Sequence, residues 1–180
     1  MNKLVIVTSL ALASPALAGG KEGSLGVGAE AELNGQVAGV SVNYDGGLFH
    51  VGGVLGYGRV KPDNAAPGVG ASTTFMIGAR FFYHVHSAGQ ADFGVGGAVG
   101  LADVPNGNNG HNAHLFLEPG FQIRAFITPN VALSFGGGIV IGTVDANSLA
   151  ISGGSTIVTA GSNTLSLGVE GILGAHYYFY

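Results

Sequence analysis

Hydrophobic and polar positions alternate with a period of two along the distal part of the chain. Leu165, Leu167, Val169, Gly171, Leu173, Ala175, Tyr177 and Phe179 form one set. Ser166, Gly168, Glu170, Ile172, Gly174, His176 and Tyr178 form the other. Successive side chains on a strand point to opposite faces, so this is a strand with one greasy and one small or polar face. The same pattern, punctuated by short breakers, predicts eight strands: Ser24–Leu33, Gln36–Tyr44, Leu48–Val60, Ser72–Val85, Ala91–Val104, Asn112–Ile127, Val131–Asp145 and Thr164–Tyr180. Asp45-Gly46-Gly47, His86–Gln90 and Thr128-Pro129-Asn130 read as short turns, and Lys61–Ala71, Pro105–His111 and Ala146–Asn163 as longer connections. Asn34-Gly35 is a two-residue hairpin signal on the longer side.

The two faces keep their register across the turns. A hairpin must pair outward residues with outward residues. With Asn34-Gly35 as the turn, Ala31 meets Ala38, Ala29 meets Val40, Val27 meets Val42 and Leu25 meets Tyr44. Around Thr128-Pro129-Asn130, Ala125 meets Leu133, Ile123 meets Phe135 and Phe121 meets Gly137. The apolar faces match at both places.

Composition decides which face meets what. Charged residues make up 9% of the chain, against about 25% in an ordinary globular protein. There are 34 glycines, and hydrophobic residues make up 47%. A soluble barrel with its greasy face inward would present the glycine-dominated set to water: Gly94, Gly96, Ala98 and Gly100, or Gly136, Gly138, Val140 and Gly142. That surface carries almost no charge, whereas soluble surfaces are about 25–35% charged. In a narrow eight-stranded lumen, small residues are a packing solution. The greasy face is therefore expected outward, in lipid.

The first 18 residues are different. Lys3, the apolar run Leu4–Ala13 and the small-residue exit Ala16-Leu17-Ala18 read as a secretory signal peptide. It is too short, and too soon interrupted by Pro15, to be a membrane helix. Residues 19–180 then form one barrel domain. With no cysteine, disulfides and thiolate metal sites are excluded. A net charge of −4 gives no footing for nucleic acid.

With these features the chain resembles the small bacterial outer-membrane β-barrel proteins, the OmpA-like and OmpX-like group. The specific mark is the terminal Gly174, Tyr177 and Phe179, similar to that group's insertion signal. The resemblance implies an all-β, eight-stranded antiparallel transmembrane barrel in the outer membrane of a Gram-negative cell. It also implies short periplasmic turns, longer extracellular loops, outer-membrane lipid as surroundings and the barrel-assembly machinery as a partner.

Candidate chemistry lies on the inward set. Glu30, Glu32, Arg80, Asp92, Glu118, Arg124 and Glu170, with His50, His84, His114 and His176, face the lumen. Burial demands that such charges pair. The expected arrangement is a network in which Arg80 and Arg124 clamp Glu118 and Glu170, with Glu30 and Asp92 completing it. The acid excess also admits a narrow, cation-preferring pore. His84 with His86, and His111 with His114, lack companions at zinc spacing, and Gly94-Val95-Gly96 lacks the helix a dinucleotide loop needs. Ser87 beside His84 and His86 is the only local nucleophile–base candidate. The expectation is an outer-membrane barrel of structural or surface-interacting role, not an enzyme, with no cofactor or metal and no ligand legible in its loops. A lipid-modifying barrel enzyme ranks third.

Overall fold

The computed structural model describes residues 20–32, 37–60, 71–105, 111–142, 156–160 and 165–180. They form nine strands: β1 (Leu25–Glu32), β2 (Val37–Asp45), β3 (Phe49–Val60), β4 (Ser72–Ala88), β5 (Ala91–Pro105), β6 (His111–Thr128), β7 (Val131–Gly142), β8 (Thr156–Ala160) and β9 (Leu165–Phe179). Strands β1 to β7 pair each with the next, β7 pairs with β9, and β9 returns to β1. The result is a closed, antiparallel, eight-stranded barrel. β8 stands outside the ring, on the part of β9 that runs past β1: Thr156–Ala160 pair with β9 over residues 165–168, while β1 takes residues 172–179.

The expected hairpin registers are observed. Leu25↔Tyr44, Val27↔Val42, Ala29↔Val40 and Ala31↔Ala38 pair in the first hairpin. Phe121↔Gly137, Ile123↔Phe135 and Ala125↔Leu133 pair in the β6–β7 hairpin. Two expectations are corrected. β4 does not turn at His86 but continues to Ala88, absorbing an irregularity between His84 and His86, because a bulge accommodates an extra residue without ending the ladder. Within the Ala146–Asn163 connection, Thr156–Ala160 is a strand. Its β-branched run suits a sheet, and the projecting edge of β9 gives it a partner. The segment expected to be a signal peptide, Leu33 to Gln36 and residues 143–145 lie outside the described residues, and so do the side chains of Glu32 and Glu170.

The outer wall is apolar. Leu55, Ile77, Leu101, Leu115 and Leu117 are about half exposed, as are Tyr44, Tyr57, Phe75, Tyr83 and Tyr177. No water-facing surface of a soluble domain is built this way. Among the described residues no helix is long and apolar enough to cross a membrane.

The ring closes along a seam where size alternates. On the inward face Gly26 lies opposite Tyr178, Gly28 opposite His176, and Glu30 opposite Gly174. A β-carbon on Gly26 would lie 2.7 Å from the Tyr178 ring, and one on Gly28 would collide with the His176 ring and the Ala175 carbonyl. Each large side chain of β9 therefore lies across a bare stretch of β1. At the β2–β3 turn, Gly47 has φ +80°, and its N–H donates to Asp45 Oδ1 at 2.9 Å.

Candidate functional site

Among the described residues the inward side chains gather in three tiers. The first lies near the end of the barrel where β2–β3, β4–β5 and β6–β7 are joined by their short turns. Arg124, brought inward by the alternation of β6, is 1% exposed and sits at the centre. Its Nε and Nη2 donate to Asp92 at 3.0 and 2.7 Å, Nη2 also to Asp45 at 2.7 Å, and Nη1 to the Tyr178 hydroxyl at 2.9 Å. Its guanidinium also lies over the rings of Phe126 and Tyr178. His84 completes the tier. Its Nδ1 is 2.8 Å from the Gly47 carbonyl, so that nitrogen carries the proton and donates. Nε2 then faces His50 Nδ1 at 2.8 Å, from which it accepts, and lies 3.1 Å from Nη2 of Arg124.

The second tier is at mid-height. Arg80 grips Glu30 with both terminal nitrogens, Nη1 at 2.8 Å, and Nη2 also reaches Asn43 at 3.0 Å. The Ser41 hydroxyl donates to Glu30 at 2.9 Å, and His176 Nε2 lies 2.7 Å from that hydroxyl and 3.0 Å from Glu30. Since the one hydroxyl proton goes to Glu30, Nε2 of His176 is the protonated nitrogen. Ser41 therefore does not face an imidazole lone pair, as an activated nucleophile must. The third tier is apolar: Met76, Ala102, Phe116 and Val140 pack together, with Val54 and Ala98 against them.

The two arginines lie on the inward face, and Glu30 and Asp92 of the expected network are among their partners, with Asp45 added. Arg80 takes Glu30, and Arg124 takes Asp92 together with Asp45. Glu118 lines a mid-lumen cavity with Arg80 and Glu30. The backbone of Glu170 pairs with Gly138. Asp45, read from sequence as part of a turn, is fully buried. Its signal was present, because Ser41, Asn43 and Asp45 continue one inward set along β2. The contact of Tyr178 with Arg124 and the packing of Met76 with Val140 were not read from the sequence.

The other candidates are separate from this network. Ser87 is exposed and pairs with Asp92 across the β4–β5 ladder, while both ring nitrogens of the neighbouring His84 are engaged. His111 pairs with Asp103 at 3.2 Å on the exterior. Gly94-Val95-Gly96 is mid-strand in β5. Among the described residues no group of His, Cys, Asp or Glu has a metal-holding arrangement. Gly174 faces inward toward Ser134 and Glu30, whereas Tyr177 and Phe179 face outward and stack edge to face at 5.0 Å. A cavity of about 640 Å³ opens at the short-turn end, lined by Lys21, Glu22, His84, Asp92, Phe126 and Tyr180.

These features define a class: a closed antiparallel barrel, apolar outside and charge-paired inside, the fold of the small outer-membrane barrels. Among solved structures the chain is similar to the N-terminal β-barrel domain of Pseudomonas aeruginosa OprF, with TM-score 0.51 and 13% identity over 88% of this chain and 98% of that one. It is also similar to Ail, the attachment invasion locus protein of Yersinia pestis, with TM-score 0.46 and 14% identity over 88% of this chain and 100% of that one. A third is Neisserial surface protein A, with TM-score 0.43 and 16% identity over 87% and 94%. No family model and no curated protein sequence matches the chain.

Proposed function

We propose that this chain is an integral outer-membrane protein whose barrel serves as a structural element and as a platform for surface interaction. In this reading the segment Met1–Ala18 directs export, Gly174, Tyr177 and Phe179 serve the barrel-assembly machinery, and the long connections face outward from the cell. One observation carries the reading: the outer wall is suited to lipid, while the described inward side chains form paired charges and an apolar tier. Planar-bilayer recording of the refolded protein tests it. Little or no steady current is expected.

A narrow, cation-preferring pore is the second reading. It draws on the tier around Arg124, where two buried carboxylates face one guanidinium beside the wide cavity at the short-turn end. Large, stable, cation-selective currents from the unmodified protein would put this reading first.

A further inference from the structure

The chain enters the first strand through a folded-back turn. Lys21 to Ser24 form it, closed by the Ser24 N–H donating to the Lys21 carbonyl at 2.9 Å, with Gly23 at φ +84°. A positive φ at the third position of a four-residue turn selects glycine. The Gly23 N–H donates to the Asp45 carbonyl at 2.7 Å and the Asp45 N–H to the Ser24 carbonyl at 3.0 Å, so the turn is fastened to β2. Lys21 Nζ lies 5.4 Å from the centre of the Tyr180 ring. The turn carries the preceding residues back across the short-turn mouth, where Gly20 and Lys21 line the cavity. There Gly20 rests on the Arg124 tier. A β-carbon on it would collide with Asp45 Oδ2 and lie 3.2 Å from the Phe126 ring.

That tier carries more negative than positive charge. Among the described residues Asp45 and Asp92 face one guanidinium, that of Arg124, and His84, whose Nε2 accepts from His50, is uncharged. Buried charge calls for compensation. Asp45 Oδ1 accepts the Gly47 N–H and Oδ2 an N–H of Arg124, and each carboxylate oxygen has room for a second bond. Ser24 is an independent sign. It is 1% exposed, it faces inward beside Asp45 by the alternation that turns Leu25 outward, and its hydroxyl has no protein partner.

We propose that the α-ammonium of Gly19, set free by removal of Met1–Ala18, is the second cation of this tier, seated on Asp45 with the Ser24 hydroxyl beside it. The inference rests on the export reading above. Hydrolysis of the Ala18–Gly19 amide leaves a carboxylate on Ala18 and an ammonium on Gly19, so a neutral N–H becomes a cation. Gly19 lies outside the described residues, but covalent geometry holds its nitrogen within about 5 Å of the Gly20 α-carbon, in reach of the Asp45 carboxylate. Processing then completes the ion pairing of the barrel, and the precursor, with an amide at that position, forms the less stable fold.

Two chains test this after refolding into lipid vesicles. One begins at Gly19. The other begins at Ala16, with the same charge moved three residues away. The Gly19 chain should unfold in urea with an equilibrium constant lower by roughly tenfold or more, the worth of a hydrogen bond to a charged group. With Asp45→Asn in both chains the difference should vanish. Equal stabilities overturn the proposal, and so does a difference that survives Asp45→Asn. A second readout does not need the Asp45 variant to fold. Acylation by an N-hydroxysuccinimide ester, followed by mass spectrometry, should be many-fold slower at Gly19 in the folded barrel than in the unfolded chain, and not slowed at Ala16. Gly20→Val, whose side chain collides with Asp45 and Phe126, should restore fast acylation of Gly19. Equally fast acylation of the folded and unfolded Gly19 chains overturns the proposal. Both chains are started at chosen residues, so these results stand apart from the export reading, which fails by itself if protein purified from membranes still carries Met1–Ala18.

Discussion

Arg124 shows what one residue holds together. It joins Asp92 from β5, Asp45 from β2 and Tyr178 from β9, strands that are not all neighbours in the ring. Removing one partner of a buried ion pair costs about 3–5 kcal/mol, since the other charge remains without compensation. Arg124→Leu is therefore expected to lower stability by about that much in urea unfolding from lipid vesicles. Adding Asp45→Asn and Asp92→Asn should recover much of the loss, because the stranded charges go with their partner. A triple variant as unstable as the single one would mean that Arg124 acts through packing on Phe126 and Tyr178. The outward face gives the complementary case. Phe121 meets Phe93 and Phe135 on the outer wall, so Phe121→Arg should cost about 2–4 kcal/mol near the membrane midplane. In the same unfolding assay Phe121→Leu should cost far less.

At the scale of the strand, the most exacting place is the seam between β1 and β9. It joins the first and last strands of the ring, and its fit depends on glycines opposite Tyr178 and His176. Gly28→Val would press side-chain atoms against the His176 ring and the Ala175 carbonyl. It is expected to reduce the yield of folded barrel, read by circular dichroism after refolding, more than Gly53→Val, whose added β-carbon meets only open wall. The strands themselves were legible because alternation and turn chemistry are local, and local signals fixed the registers of β1–β2 and β6–β7. The pairing of charges was not legible in the same way. Which carboxylate reaches Arg124 depends on how the ring is sheared, and shear is set by all eight strands at once. Asp45 illustrates the difference: its inward phase could be read along β2, but its meeting with a residue of β6 could not. The apolar tier was missed for another reason. Met76, Phe116 and Val140 lie on the face taken as polar, and alternation gives the direction of a side chain without the chemistry of its neighbours.

For the whole molecule, the lengths of the strands are unequal. β1 and β2 have 8 and 9 residues, whereas β4, β5 and β6 have 17, 15 and 18. With about 3.3 Å per residue and a tilt near 40°, β1 spans roughly 20 Å of height and β4 roughly 43 Å. The apolar band of an outer-membrane barrel is about 25 Å tall. Over the described residues the wall is therefore lower on the β1–β2 flank than on the opposite one, where it rises above such a band. A rigid ring can answer this mismatch by leaning, and the surrounding bilayer by thinning beside β1 and β2. The barrel should thus insert more completely into short-chain phosphatidylcholine vesicles than into long-chain ones, and oriented-sample measurements should find its axis inclined to the membrane normal. Equal insertion across chain lengths, with an upright axis, would contradict this. A lopsided wall gives the protein a preferred side, so the lipid around it is compressed in one direction, and a neighbour seeking to relieve that compression would approach from the β1–β2 flank.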